Sequence, residues 1–191
     1  MLVEHIEEYG LADWVRSVRV HHDQTYQHCL LVSGAAAAFG QHLKFNDADR
    51  RRAAMAGLLH DIGKAKISVA ILDKPVELDD EDIATIMQHP VLGHEALQAV
   101  NGLHPEMLDV VLHHHEHIDG SGYPHGLQGS EISDLTRMVT IADVFGALIE
   151  HRAYKAPMSG RDAYQVLLGM DTKLDHDLVR AFQPLSQAQF E

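Results

Sequence analysis

Helical periodicity is the feature that most constrains the fold of this chain. Apolar residues recur at steps of three and four along most of the sequence, and no segment shows the strict alternation of a half-buried strand. With 191 residues, the chain has the length of about one domain. An apolar fraction of 46% is enough to bury a core. We therefore expect a single all-α fold.

Capping residues and helix breakers predict where the helices begin and end. Asn46 is a good N-cap, and Pro90 and Pro105 fit the first turns of the helices that they open. Gly63 is expected to break the helix that follows Asn46. The predicted helices are 2–9, 11–20, 23–43, 46–59, 78–89, 91–100, 106–114, 133 or 134 to about 151, 159 or 160 to 170, and 174–182. Segment 118–130, rich in glycine, is expected to be a long functional loop.

Charge and cysteine content exclude several classes of protein. There are 15 basic and 28 acidic residues, a net charge of −13, which argues against a DNA-binding protein. The single cysteine, Cys29, cannot form an intramolecular disulfide. The first residues lack the pattern of a signal peptide, and no apolar run is long enough to span a membrane. We expect a cytoplasmic protein without a membrane segment.

The sequence holds 16 histidines, and some of them lie beside carboxylates in positions that suit metal binding. His60 and Asp61 are adjacent, so they would diverge by about 100° within a regular helix and could converge only where a helix ends. Asp143 lies in an apolar helix, where it must be paired, cap a helix or bind metal. His28 is either a core histidine or a ligand. Histidines and carboxylates without cysteine favour manganese or iron over a structural zinc site.

The order of five motifs resembles that of the HD-GYP family, bacterial phosphodiesterases of cyclic di-GMP within the HD phosphohydrolase superfamily. The motifs are HDIGK at 60–64, HP at 89–90, HHEHIDGSGYP at 114–124, IAD at 141–143 and RAYK at 152–155. The resemblance covers roughly residues 25–182. It implies an HD-domain helical bundle at 23–191, preceded by short helices at 1–22. It also implies hydrolysis of cyclic di-GMP to pGpG, in some members on to GMP.

The resemblance also assigns roles to individual residues. The implied metal ligands are His28, His60, Asp61, His89, His114, His115 and Asp143. Two divalent ions, iron or manganese, would be bridged by Asp61, with His28, His60 and Asp143 on one ion. The two ions would activate a hydroxide for attack on phosphorus. His113 is then expected on the helix surface.

Basic and loop residues are implied to hold the substrate. Lys64 would contact the scissile phosphate and serve in catalysis with Asp61, and Arg152 and Lys155 would hold the second phosphate. Gly122, Tyr123 and Pro124 form the loop that gives the family its name. Tyr123 is expected either to stack on the nucleotide or to pack beneath the loop.

Three positions depart from the family pattern. Gln24 replaces a glutamate that helps some members to bind a third metal, so we expect two ions. Gly146 replaces an aspartate, which removes a candidate contact near the metals or the substrate. Ala153 replaces a proline, a minor change.

Other functions remain open at this stage. The chain could be a catalytically weak receptor for cyclic di-GMP or an interaction module, an alternative that Gly146 and Gln24 favour. A phosphohydrolase acting on another nucleotide is a second alternative. The segment before residue 23 is too short for a sensor domain. We therefore expect regulation by expression, by metal supply or by a separate protein partner, and the N-terminal helices could form a homodimer contact.

Overall fold

A computed structural model describes residues 19–150 and 156–188. Within these residues the chain forms a helical stretch at 19–21, nine further α-helices and two 3₁₀ helices, at Ile62–Lys66 and Gly129–Glu131. The helices are α1 (Asp23–His42), α2 (Asp47–Leu59), α3 (Val69–Leu72), α4 (Asp80–Ile86), α5 (His89–Gln98), α6 (Pro105–His113), α7 (Asp134–Ile149), α8 (Gly160–Gly169) and α9 (His176–Ala188). The described part holds no strand, only one isolated bridge between Asp119 and Gln128. The all-α prediction is confirmed.

Local chemistry places most helix starts where the sequence predicts them. Asn46, Ser133 and Ser159 are N-caps, because each side chain accepts a hydrogen bond from the backbone N–H three residues on. Pro90 and Pro105 lie in the first turns of α5 and α6, where their missing N–H groups cost nothing. These signals are local, so tertiary packing did not override them.

The predicted end of a helix at Leu59 is confirmed, and the predicted position of His89 is wrong. Helix α2 ends at Leu59, before Gly63, which lies within a 3₁₀ helix. A Cβ at Gly63 would overlap the carbonyl oxygen of His89 and lie 2.6 Å from the backbone nitrogen of Gly93. Gly63 therefore permits the close approach of α5, a role that the sequence did not indicate. His89 was expected at the end of a helix, but it is the first residue of α5, while α4 ends at Ile86.

Other helix ends differ by a few residues. Helix α9 is longer than its predicted range 174–182, and the short helix α3 was not predicted. The predicted helices at 2–9 and 11–20 fall outside the described residues, apart from residues 19 and 20. The division after residue 22 stays a prediction. No helix in the described ranges is both long and apolar enough to cross a membrane.

Helix α1 is the centre of the bundle and packs against α2, α7 and α9, while α8 packs against α7 and α9. The main core lies between these helices, where Phe182 meets Phe39 and Phe145 edge-on at centroid distances of 5.1 and 5.0 Å. A smaller apolar cluster includes Leu59 and Leu97 and joins α2 to α5 and α6. This packing brings the ends of α2 and α6 and the start of α5 towards the middle of α1 and α7.

Candidate metal centre

Seven predicted ligands meet where these helices converge. They are His28 on α1, His60 and Asp61 after α2, His89 at the start of α5, His114 and His115 after α6, and Asp143 on α7. All are buried except His115, which is half-buried. Because His60 and Asp61 lie beyond the last helical turn of α2, their side chains can point into one cluster, as the sequence argument required.

The two carboxylate oxygens of Asp61 face different groups of histidines. Oδ1 lies 3.1 Å from Nε2 of His89 and 3.8 Å from Nε2 of His114. Oδ2 lies 3.5 Å from Nε2 of His60 and 4.0 Å from Nε2 of His28. The donor atoms form two groups that share Asp61: one with His28 and His60, the other with His89, His114 and His115. A carboxylate placed in this way could bridge two cations.

Asp143 lies on the side of the cluster that holds His28 and His60. Its Oδ1 is 2.8 Å from Nε2 of His28 and 3.6 Å from Nε2 of His60, while Oδ2 is 4.0 Å from Nδ1 of His115. Burial opposes ionisation of this carboxyl group, but the hydrogen bond from His28 and the nearby ring of His60 together hold its pKa well below the usual value. Asp143 is therefore an anionic donor, as its apolar helix suggested.

Backbone carbonyls fix the tautomers of three histidines. Nδ1 of His60, His89 and His114 each donates to the carbonyl oxygen three residues earlier, at 2.7, 2.7 and 3.0 Å. A carbonyl oxygen only accepts hydrogen bonds, so the ring proton lies on Nδ1 and the lone pair lies on Nε2. All three Nε2 atoms point into the cluster, which is the form in which a histidine binds metal.

Several atoms of the cluster lack a hydrogen-bonding partner of their own, which fits bound cations. Nε2 of His60 and Oδ1 of Asp61 are buried without a hydrogen bond. Nε2 of His89 and Nε2 of His114 are 3.1 Å apart, although each neutral ring offers only a lone pair there. Leaving such atoms unpaired in a buried site is costly, whereas a divalent cation would satisfy them together. The nitrogen and oxygen donors suit borderline ions.

Burial and charge keep His114, His115 and Asp61 in their metal-binding forms, whereas the effect of burial on His28 is outweighed by the carboxylates of Asp143 and Glu150, which raise its pKa to about 9. Burial lowers the pKa of His115 to about 3 and that of His114 well below its usual value, so both rings are neutral. Burial of Asp61 opposes its ionisation, but the charge of Lys64 together with the nearby His60 and His89 outweighs this and holds the pKa of Asp61 well below the usual range. Nζ of Lys64 donates to Oδ2 of Asp61 at 2.5 Å. Lys64 is thus placed beside the bridging carboxylate.

The GYP loop packs directly onto the cluster. A Cβ at Gly122 would lie 2.5 Å from Cα of Glu116 and from the carbonyl oxygen of His115, so only glycine allows this approach. The ring of Tyr123 stacks on His115, with centroids 4.8 Å apart and planes 25° from parallel. The structure therefore places Tyr123 against a histidine of the cluster. Its expected contact with the nucleotide stays a prediction. Pro124 follows in the same loop.

Glu116 holds this loop, a role that the sequence reasoning missed. Its carboxylate is 2% exposed and accepts hydrogen bonds from the backbone N–H groups of His125, Gly126 and Leu127, at 2.6, 3.1 and 3.0 Å. An acidic residue before a glycine-rich loop is the only local signal for such an anchor, and it is a weak one. The carboxylate fixes the loop relative to the end of α6.

His113 lies outside the cluster, but it does not project from the helix surface as expected. Its Nδ1 is 2.7 Å from Oδ1 of Asp109, and its Nε2 is 3.0 Å from Nδ1 of His125 in the loop. Oδ2 of Asp109 accepts hydrogen bonds from the hydroxyls of Ser133 and Thr136. His113 therefore connects the loop to α6 and, through Asp109, to the start of α7.

The remaining predicted residues fall into three cases. Gln24 lies beside the His28 side of the cluster, in the wall of a cavity of about 250 Å³. This cavity is lined by His22, Gln24, Thr25, His28, Asp61, Lys64, Leu72, Leu78, Ile86 and Glu150. Gly146 faces His28, since a Cβ there would lie 3.6 Å from Cε1 of that ring. Arg152 and Lys155 lie outside the described residues.

Comparisons with known proteins agree with this geometry. The family model of the HD domain matches residues 11–178. A cyclic di-GMP phosphodiesterase of Pseudomonas aeruginosa is 37% identical over 160 residues, which are 84% of this chain and 39% of that protein. A 3′3′-cGAMP-specific phosphodiesterase of Vibrio cholerae is 42% identical over 118 residues, 62% of this chain and 25% of that protein. The chain thus spans well under half the length of these curated relatives.

Solved structures share the fold. An HDG"Y"P protein from Bdellovibrio bacteriovorus superposes with a TM-score of 0.68 at 21% identity, over 84% of this chain and 51% of that one. The HD domain of a phosphodiesterase from L. monocytogenes, solved with cyclic-di-AMP, also gives a TM-score of 0.68. The identity is 14%, over 91% of this chain and 93% of that one. At these identities the likeness concerns the fold alone.

Proposed function

This chain belongs to the HD-domain family and has the motifs of the HD-GYP type, and from that premise we propose that it is a metal-dependent phosphodiesterase that hydrolyses cyclic di-GMP to pGpG. The observation that carries the proposal is the position of Asp61, whose two oxygens face two separate groups of histidines. The phosphodiesterases of P. aeruginosa and V. cholerae support the same class of reaction.

The cluster would hold two divalent ions, iron or manganese. His28, His60 and Asp143 would bind one ion, and His89, His114 and His115 the other, with Asp61 shared. When bound, such ions lower the pKa of water and neutralise charge on a phosphate oxygen. We propose two ions and not three, because the amide of Gln24 is a weaker donor than a carboxylate.

Lys64 would act on the phosphate. Its ammonium group lies beside Asp61 and its side chain is 24% exposed, so it can also contact a phosphate oxygen at the edge of the cluster. A positive charge there stabilises the negative charge that develops on the phosphoryl oxygens during hydrolysis. Arg152 and Lys155 would hold the second phosphate.

The cavity beside the cluster would admit part of the nucleotide. Gln24 and Thr25 contribute polar groups to its wall, while Leu72, Leu78 and Ile86 contribute apolar surface against which a base or ribose can pack. Tyr123, held on His115 by the GYP loop, would bound the site at the other group of ligands. The loop thus shapes the site and protects the histidines from solvent.

3′3′-cGAMP is a second candidate substrate. The V. cholerae enzyme specific for this dinucleotide is 42% identical over the matched region. The two substrates differ in one base, so contacts to the base and not to the metals would distinguish them.

A substrate panel tests the proposal. The chain, purified anaerobically and supplied with Mn²⁺ or Fe²⁺, is incubated with cyclic di-GMP or with 3′3′-cGAMP, and the products are separated by chromatography. We expect the wild type to produce pGpG from cyclic di-GMP. The variant Asp61→Ala should be inactive, and the control Asp177→Ala, at a solvent-exposed residue, should be fully active. Faster turnover of 3′3′-cGAMP than of cyclic di-GMP would show that 3′3′-cGAMP is the preferred substrate. Intact nucleotides despite a loaded site, with binding retained, would show a receptor instead.

A further inference from the structure

His28 differs from the three histidines with fixed tautomers in the partner of its Nδ1. His60, His89 and His114 use backbone carbonyls, whereas Nδ1 of His28 lies 2.9 Å from Oε2 of Glu150. The side chain of Glu150 is 12% exposed, and that of His28 is 6% exposed. A buried carboxylate on the second nitrogen of a proposed metal ligand is therefore a particular feature of this site.

We propose that Glu150 is a positioning residue, which fixes His28 in the tautomer that binds metal and strengthens binding of the ion on the His28, His60 and Asp143 side. An ionised carboxylate only accepts hydrogen bonds, so Nδ1 of His28 must carry the proton and donate it. Nε2 lies 2.8 Å from Oδ1 of Asp143, to which it donates in the absence of a cation, and 4.0 Å from Oδ2 of Asp61. A cation held between these groups would replace the proton on Nε2, while Glu150 keeps the proton on Nδ1. The inference rests on the proposed metal centre.

A carboxylate does more than a carbonyl in this position. It fixes the orientation of the ring in the same way, but its negative charge also makes the imidazole more basic and so a stronger donor to a cation. Removing such a partner from a metal-binding histidine typically lowers metal affinity about 10–100-fold. Unlike a backbone carbonyl, Glu150 can be removed by substitution.

Helix α7 supplies groups on both sides of the His28 ring. Asp143 contacts Nε2 from within the helix, and Glu150, its C-cap, contacts Nδ1 seven residues later. Seven residues are about two helical turns, so the two positions share one face. Gly146 lies between them, and a Cβ there would make an ordinary van der Waals contact with Cε1 of the ring, at 3.6 Å.

A direct role of Glu150 as a ligand is the main alternative. Glu150 lines the cavity next to Gln24 and Asp61, where a cation could also be held. The two roles predict different numbers of bound ions. Removing a positioning residue lowers the affinity for metal but leaves the number of ions bound at saturation unchanged. Removing a direct ligand also removes the ion that it binds.

Titration with Mn²⁺ against a chelating dye, followed by metal analysis of the saturated protein, tests the inference without an activity assay. The full chain is compared as wild type, Glu150→Ala, Glu150→Gln and the exposed control Glu95→Ala. We expect Glu150→Ala to bind one of two ions about 10–100-fold more weakly, with two ions still bound at saturation. Glu150→Gln should lose less, because its amide oxygen still accepts from Nδ1. Glu95→Ala should match the wild type.

Three results would overturn the inference. One is an affinity of Glu150→Ala within twofold of the wild type. Another is the loss of one ion at saturation in both variants, which would make Glu150 a direct ligand. The third applies if circular dichroism shows that Glu150→Ala does not fold: an unchanged metal affinity of Glu150→Gln would then overturn the inference.

A wild-type chain that binds no Mn²⁺ would instead refute the metal centre, and the inference with it. Binding of Mn²⁺ without hydrolysis would refute only the proposed reaction.

Discussion

Oδ1 of Asp61 lies 3.1 Å from Nε2 of His89, and this contact joins the N-cap of the 3₁₀ helix that follows α2 to the first residue of α5. The two atoms approach each other outside hydrogen-bonding geometry, and Oδ1 has no hydrogen bond. The relationship depends on Gly63, which lets the backbone of α5 pass close enough to deliver His89. Fold and chemistry are therefore coupled at this point.

The first prediction concerns metal binding by Asp61. Adding Mn²⁺ at about 100 times its dissociation constant should stabilise the wild type by about 2.7 kcal/mol for each ion. Asp61→Ala should abolish this stabilisation, because the proposed ions share this carboxylate. Differential scanning fluorimetry with and without Mn²⁺ measures the effect, and Asp177→Ala, whose native side chain is 95% exposed, is the control. A full Mn²⁺ shift in Asp61→Ala would exclude the bridging role.

The second prediction concerns the close approach at Gly63. Gly63→Ala should destabilise the metal-free protein by about 1–3 kcal/mol, because the added Cβ forces α5 away and backbone cannot yield easily. The measurement is urea unfolding followed by circular dichroism. Gly34→Ala is the matched control, since no atom lies within 4 Å of its added Cβ. That control should gain about 0.5–1 kcal/mol from helix α1. Equal stabilities of the two variants would contradict this account of Gly63.

The third prediction concerns the loop anchor. Glu116→Gln should loosen the GYP loop, because the amide has one acceptor oxygen and its NH₂ group faces backbone donors. We expect a loss of about 1–3 kcal/mol and faster hydrogen exchange across residues 118–130, with Mn²⁺ content unchanged. Exchange measured by mass spectrometry is compared with Glu131→Gln, which alters one exposed hydrogen bond in the same region. Unaltered exchange in Glu116→Gln would refute the anchoring role.

The fourth prediction separates space from charge at Gly146. Gly146→Ala should change stability by less than about 1 kcal/mol, because Val32 Cγ2, 3.2 Å from the added Cβ, is the end of a side chain and the gain in helix propensity offsets the crowding. Gly146→Asp adds a carboxylate near His28 in a buried part of α7 and should destabilise the metal-free protein by about 1–3 kcal/mol. Urea unfolding measures both. A stability of Gly146→Asp equal to that of Gly146→Ala would mean that the carboxylate finds a partner there.

Much of the fold could be predicted because its signals are local. The N-caps at Asn46, Ser133 and Ser159 act over three residues, so the sequence places these helix starts correctly. The contact of Gly63 with α5 could not be predicted, because it is not local. A glycine is locally a helix breaker, but here its conformation matters less than the backbone of α5, which lies beside it only in the folded chain.

The cluster shows the same division. Its residue types were predicted from motif order, yet the sequence does not say which oxygen of Asp61 faces which histidines. Glu116 and Glu150 were missed because no periodic pattern in the sequence indicates their hydrogen-bonding partners. Glu150 and His28 are separated by 122 positions, and the contact exists only because α1 packs against α7.

The sequence by itself determined the helices, their caps and the set of histidines and carboxylates available to a metal, since these depend on local propensity and on residue chemistry. Tertiary structure decided which nitrogen of each ring points into the cluster, how the loop is held by Glu116, and which carboxylate supports His28. These features are hydrogen bonds and close contacts between segments distant in the chain. Their geometry is therefore fixed by the packing of the helices and by no pattern along the sequence.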